Sequence, residues 1–456
     1  VLDTISLSDP RRSEAQIDSI LRIRPDLIAI AGGTDRGASR SMLRILNTVG
    51  FAVEELPINF KPEILYAGNK QLSGNVINIL GELAPTSVVD NIRPNLETEN
   101  FGPAELRLIE LFRKIYGKSL LGAKELELWA GGNLIPSSIG FGRVVQFLSQ
   151  VYDQSKGVLG INVGASSTIA ASSFGGDLNL RNFNQLGIGS GLTGLLATTK
   201  VEDIQRWIPY DVSDDEVISY LYNKSIYPAS LPATGKDLAI EQALAREVIR
   251  SALNKIKAEF PQDLAGPARG GLPWFEPIMV GGSVITDAPG MNQALLMILD
   301  GVQPTGISRI ILDKNSLAPA LGAVAGMNAM LAVQVLESNA FFNLGSVISP
   351  IGRAKPGSPV VRVTIRYASG QESTMDVKFG TIKTIPLPIG QPAEIHLQPL
   401  NRFDVGMGGP GKSGRLRVVG GYFGVIIDAR GRPLILPKGN DKRKESLIHW
   451  QKSLKG

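Results

Sequence analysis

A chain of 456 residues, 43% hydrophobic and 20% charged, is too long for one ordinary core and too apolar to be disordered. Two to four domains are therefore expected. It has no cysteine and two histidines, His396 and His449. That excludes disulfides, thiolate zinc sites and thiol nucleophiles, and it argues against a Ser-His-Asp triad or a histidine-rich metal centre.

Lysine and arginine number 47 against 42 acidic residues, a net charge of +5 that is weak at this length. No basic stripe with interleaved aromatics points to nucleic acid. No apolar run reaches the roughly 18 residues of a membrane helix, and no signal peptide is visible. The expectation is a cytoplasmic protein without a metal site, free of membrane and nucleic acid, with self-association left open.

The first 150 residues alternate strands with helices. PDLIAIAGG (25–33) predicts a buried strand ending in a glycine turn, and SRSMLRILNTVG (39–50) a helix with a glycine stop. Short strands follow at 62–69 and 86–92, then amphipathic helices at 101–120 and 136–153. Such alternation implies a largely parallel sheet covered by helices. A second unit opens at Gly157. GVLGINVGA and STIAASSFGG read as a hairpin, GIGSGLTGLLATT (187–199) as a glycine-rich approach to a helix, and 237–260 as a strong helix. EPIMVGGSVIT (276–286) is a strand broken by Gly281-Gly282. After it come the helix MNQALLMILDGV, the strand 308–313 and an Ala/Gly-rich helix from 318 to about 337. Beyond 342 apolar and polar residues alternate between Gly and Pro, which predicts an all-β domain closed by a helix at ESLIHWQKSL.

Three glycine elements are candidates for chemistry. The bend Gly164, Ala165, Ser166, Ser167, Thr168 has little side-chain bulk, so its N–H groups can approach phosphate oxygens and its hydroxyls can add donors. Gly281, Gly282 and Ser283 end a strand in a flat backbone on which a ring or ribose can rest. GIGSGLTG can open a helix whose dipole favours an anion. Each also reads as an ordinary turn, and for the bend taken alone the ordinary turn is the favoured reading. AGGTDRGA (31–38) offers Gly32, Gly33, Thr34 and Asp35 at the carboxyl end of a parallel strand, where ligands commonly dock. There Asp35 is the best carboxylate, with Asp177 a second candidate for catalysis. Gly406-x-x-x-x-Gly411-Lys412-Ser413 matches the P-loop pattern, but a period-two strand follows it and Pro410 removes an N–H, so a glycine-rich hairpin loop is expected.

The order hairpin, helical insertion, Gly-Gly strand, small-residue helix resembles the second half of the actin, heat-shock chaperone and sugar kinase superfamily. Gly164–Thr168 match its phosphate hairpin, Gly281 and Gly282 its adenosine loop, and Ala320, Gly322 and Ala323 its connecting helix. AGGTDRGASRSMLRIL, ILYAGN, LIPSSIGFGRVVQFL and the hairpin together resemble the MutL proteins associated with glutamate mutase, over roughly the first 340 residues.

The resemblance implies an α/β protein with actin-like (ribonuclease H-like) ATPase lobes at 1–156 and 157–340 and a β-rich domain at 341–456. The first of these lobes is incomplete. It also implies ATP or ADP with magnesium as ligand, and a role as a reactivating chaperone for an adenosylcobalamin-dependent mutase. Two departures stand out: Asn162 occupies the position of the family's acid, and the superfamily's first phosphate hairpin is not in this sequence. They leave open a non-catalytic scaffold of the same fold, and a small-molecule kinase as a third reading.

Overall fold

In the computed structural model, residues 1–37, 39–119, 121–132, 134–261 and 271–454 are described. Ala38, at the end of AGGTDRGA, and Leu120, at the end of the expected helix 101–120, lie outside them. The chain divides into two units, Val1–Pro136 and Ser137–Gly456, whereas the sequence placed its boundaries after 156 and after 340.

The first unit alternates as expected: α1 (Ser13–Ile23), β1 (Leu27–Ile30), α2 (Arg40–Glu55), β2 (Glu63–Tyr66), α3 (Ser73–Leu80), β3 (Thr86–Val88), α4 (Gly102–Ser119) and α5 (Ala123–Trp129). The strands lie in the order β1-β2-β3, all parallel. On α2 the buried Met42, Leu46, Val49 and Val53 recur at helical spacing and so form one stripe. They pack with Ile64 and Tyr66 of β2 and with Val76 and Leu80 of α3.

The second unit begins with α6 (Ser137–Val151), followed by β4 (Gly157–Val163), β5 (Thr168–Phe174) and β6 (Asp177–Phe183). The helical insertion is α7 (Val201–Gln205), α8 (Asp214–Ile226) and α9 (Gly235–Ile256). Next come β7 (Phe275–Gly281), α10 (Ser283–Thr286), α11 (Met291–Val302), β8 (Gly306–Asp313), α12 (Leu317–Val324) and α13 (Ala329–Glu337). The single helix expected over 318–337 is thus two, and the second starts where the Asn328 side chain accepts the Leu331 N–H.

Within the stretch β6-β5-β4-β7-β8, β5 is the strand that runs against its neighbours, while β4, β7 and β8 are parallel. This is the actin-like, ribonuclease H-like order. One face of the sheet carries α9 and α11; the other carries α6 and α12. The helices α6 and α12 meet backbone to backbone, since a Cβ on Gly322 would lie 1.8 Å from the Gly140 carbonyl oxygen. Helix α6 therefore belongs with the sheet that follows it.

The last segment contains β9 (Phe342–Ser349), β10 (Pro359–Tyr367), β11 (Glu372–Lys378), β12 (Ile382–Ile385), β13 (Pro392–Pro399), β14 (Gly414–Val419), β15 (Val425–Asp428) and α14 (Asn440–Ser453). Four of the strands form a separate antiparallel sheet, β11-β10-β13-β14. The other three, β12-β15-β9, extend the actin-like sheet past β8 to make eight strands. A buried charge cluster ties this segment down. Arg430 bonds Asp428 at 2.8 Å and Asp300 of α11 at 2.7 Å, and Arg432 bonds Asp428 at 2.5 Å. The described residues include no helix long and apolar enough to cross a membrane.

Candidate functional site

Strand β4 turns into β5 through Gly164–Ser167. The turn is closed by the Gly164 N–H donating to the Ser167 carbonyl at 2.9 Å. The glycine-rich loop after β6 then packs on the bend: Ile188 N–H donates to the Gly164 carbonyl at 2.9 Å, and those of Gly189 and Gly191 to the Ala165 carbonyl at 2.8 and 3.1 Å. Glycine is needed there because a Cβ on Gly191 would stand 2.4 Å from the Ser166 oxygen. In a trans peptide N–H and C=O point oppositely, so holding these carbonyls turns the Ala165 and Ser166 N–H groups away from the loop. Both residues are exposed, and among the described residues neither N–H has a backbone acceptor.

The expectation for GIGSGLTG is an anion-binding helix start. Instead the Ile188, Gly189 and Gly191 N–H groups brace the hairpin, and the helix that follows is a six-residue 3-10 turn at Leu192–Ala197. Thr168 is also placed differently. It lies inside the ladder opposite Val163, fully buried, with a hydroxyl that has no partner. The exposed tip is therefore Ala165 and Ser166, with Ser167 half-buried beside them.

The Gly-Gly turn is adjacent. In the parallel ladders Gly281 pairs with Asn162 of β4 on one side and with Asp313 of β8 on the other. Gly282 has φ +105°, and a Cβ there would stand 2.1 Å from the Val163 oxygen. The hairpin and the Gly-Gly turn thus abut at the carboxyl ends of parallel strands, and the exposed Ser283 opens α10 beside them.

The other candidates are not part of this bend and turn. Asp177 starts β6 at the far end of the β5–β6 hairpin, paired with Phe174, roughly 20 Å along the strand from Thr168. Gly32, Gly33, Thr34 and Asp35 belong to the first unit. There Asp35 accepts the Lys70 N–H and the Asn91 amide, both at 2.9 Å. These bonds hold its carboxyl below the usual range. They also tie together the loops that follow β1, β2 and β3. At 406–413, Ser413 leads straight into β14, without a helix, so the P-loop pattern is the expected glycine-rich loop.

A family model described as MutL protein matches residues 1–340. The chain belongs to the MutL family. It is 22% identical over 262 residues to Protein MutL of Clostridium tetanomorphum, covering 53% of this chain and 54% of that protein, so it spans about half the length of this curated relative. Among solved structures, MreB5 of Spiroplasma citri bound to ADP shares 10% identity over 66% of this chain and 79% of its own, at a TM-score of 0.23. A Bacillus thuringiensis ParM hybrid with ADP shares 13% over 78% of this chain and 44% of its own, at 0.21. The fold stands on the strand order and not on these superpositions.

In this MutL chain the bend suits a phosphate: free N–H groups, small side chains and two serine hydroxyls converge at one tip. Magnesium fits less well. Asn162 offers one neutral amide oxygen, and the two oxygens of Asp313 accept the Leu317 and Ala318 N–H groups at 2.8 and 2.9 Å. Among the described residues no group of three His, Asp or Glu side chains is placed to hold a metal. A magnesium ion at this face would be held through phosphate oxygens and water. Asp313 escaped the sequence reading. Burial pushes its carboxyl up, against the pull of the two N–H groups. Its signal was an acid ending an apolar strand just before a helix.

Proposed function

We propose that the chain is a nucleotide-binding accessory protein that reshapes or reactivates an adenosylcobalamin-dependent mutase. The observation that carries this reading is the pair of outward N–H groups at Ala165 and Ser166 beside the bare backbone of Gly281-Gly282. Phosphates would lie on the first and the nucleoside on the second, with Ser166, Ser167 and Ser283 as hydroxyl contacts. Membership of the MutL family supports the choice of partner. Titration calorimetry of the full-length protein with ATP and ADP, with and without magnesium, tests it: saturable binding is expected, and heats of dilution alone would remove the reading.

A second reading is a scaffold that binds nucleotide without turnover. It is favoured by Asn162 and Asp313, which flank Gly281 across the sheet and offer no free carboxylate to activate water. Binding without release of phosphate from ATP is its expected outcome, and steady phosphate release contradicts it.

A further inference from the structure

The helical insertion touches the loop that braces the bend through one short turn. Tyr227–Ser230 (YPAS) follows α8 and is closed by the Ser230 N–H donating to the Tyr227 carbonyl at 3.0 Å. Pro228 takes the second position, where its fixed φ favours such a turn. Pro228 lies against Gly189: a Cβ on that glycine would stand 2.8 Å from the Pro228 Cβ and 3.1 Å from the Ala165 Cβ. Gly189 thus meets the turn and the bend with one bare face, while its N–H holds the Ala165 carbonyl at 2.8 Å.

The turn is exposed from Tyr227 to Ser230. Among the described residues one side chain bonds it: Lys224 of α8 donates from Nζ to the Ser230 carbonyl. Lys224 is buried, 5% exposed, and its acid is Glu241 of α9 at 3.4 Å. Glu241 also accepts the Tyr220 hydroxyl. Two charges buried only to balance each other gain little over apolar packing. This ammonium does more, since it fixes a carbonyl of the turn that packs on Gly189.

We propose that Lys224 is a positioning residue for the phosphate bend. By fixing the Ser230 carbonyl it seats Pro228 on Gly189. That keeps the Ala165 carbonyl engaged and the Ala165 and Ser166 N–H groups turned outward. The inference rests on the reading of this bend as a phosphate site, and it gives the insertion control over nucleotide affinity.

Hydrogen exchange of the full-length protein, followed by mass spectrometry, tests it alongside ADP calorimetry. In Lys224→Met the segment 188–191 should exchange about tenfold faster, the effect of one lost hydrogen bond, with α11 unchanged and ADP bound about tenfold more weakly. Lys224→Met combined with Glu241→Gln leaves no buried charge unpaired. It should keep the fast exchange at 188–191, whereas a role limited to neutralising Glu241 restores the parent rate. Unchanged exchange at 188–191 in Lys224→Met, equal acceleration over the whole second unit, or recovery in the double variant overturns the inference. If Lys224→Met does not fold, Pro228→Gly decides, because it leaves the buried charges in place. There too 188–191 should exchange faster, and a parent-like rate overturns the inference. A parent that binds no ADP removes the phosphate reading, while the exchange rates still decide whether Lys224 holds the bend.

Discussion

The side-chain amide of Asn162 lies against Gly281, its partner across the parallel β4–β7 ladder: a Cβ on that glycine would be 3.6 Å from the amide carbon and nitrogen. The position is at the carboxyl end of β4, two residues before the bend that presents its N–H groups. A carboxylate here would stand beside bound phosphates with room to orient a hydrated cation. Asn162→Asp is therefore expected to make nucleotide affinity depend on magnesium, with about tenfold loss on chelation. Calorimetry with and without EDTA reads this directly, and identical values for the parent and the variant would count against it.

The contact of Gly140 with Gly322 predicts a stability effect. A methyl group on Gly322 has no space against the Gly140 carbonyl, so α12 must lift from α6. Gly322→Ala should cost about 1–3 kcal/mol. Ala320 on the same helix is exposed, and Ala320→Ser should change the urea midpoint little. Equal midpoints for Gly322→Ala and the parent would refute the close crossing.

The buried cluster around Asp428 predicts a larger effect. Its carboxylate, fully buried, is held well below the usual range by Arg430 and Arg432 against the opposing effect of burial. Asp428→Asn leaves two arginines without their shared partner and should cost about 3–5 kcal/mol. Urea unfolding measures the loss, and limited proteolysis should show β12, β15 and α14 becoming accessible first.

Asp35 predicts a pH dependence in the first unit. Its pKa is lowered by the Lys70 N–H and the Asn91 amide, so the unfolded chain binds the proton more tightly than the folded one. The stabilisation is present above the unfolded value of about 3.9 and disappears as pH falls through the lower folded value. Asp35→Asn should flatten that acid limb of the stability curve by lowering stability at neutral pH, where the charged carboxylate contributes, more than at low pH. An unchanged acid limb would show that the two bonds do not act as described.

The parts of the fold with local signatures were legible: the strand and helix alternation, the hairpin at Gly164, and the break at Gly281-Gly282. What escaped depends on pairing between distant residues. Period and turn residues do not say which edge a strand joins, so β9, β12 and β15 read as part of one β domain although they extend the sheet of β8. Likewise GIGSGLTG carries the composition of an anion loop, and only its seating on Gly164 and Ala165 shows the Ile188, Gly189 and Gly191 N–H groups occupied. Asp177 and Thr168 have suitable chemistry, but the strand register puts one at the far end of its hairpin and the other in the core.

The central claim is that the Ala165–Ser166 bend and the Gly281-Gly282 turn together form one nucleotide site. Calorimetry of ADP with the parent, Gly281→Ala and Gly282→Val tests it. Gly281 has room for a Cβ at ordinary contact distance, whereas at Gly282 the Cβ would strike the Val163 carbonyl and φ is positive. The account predicts saturable binding to the parent and to Gly281→Ala, and none to a folded Gly282→Val. Parent-like affinity in Gly282→Val, or no binding to the parent, would contradict it.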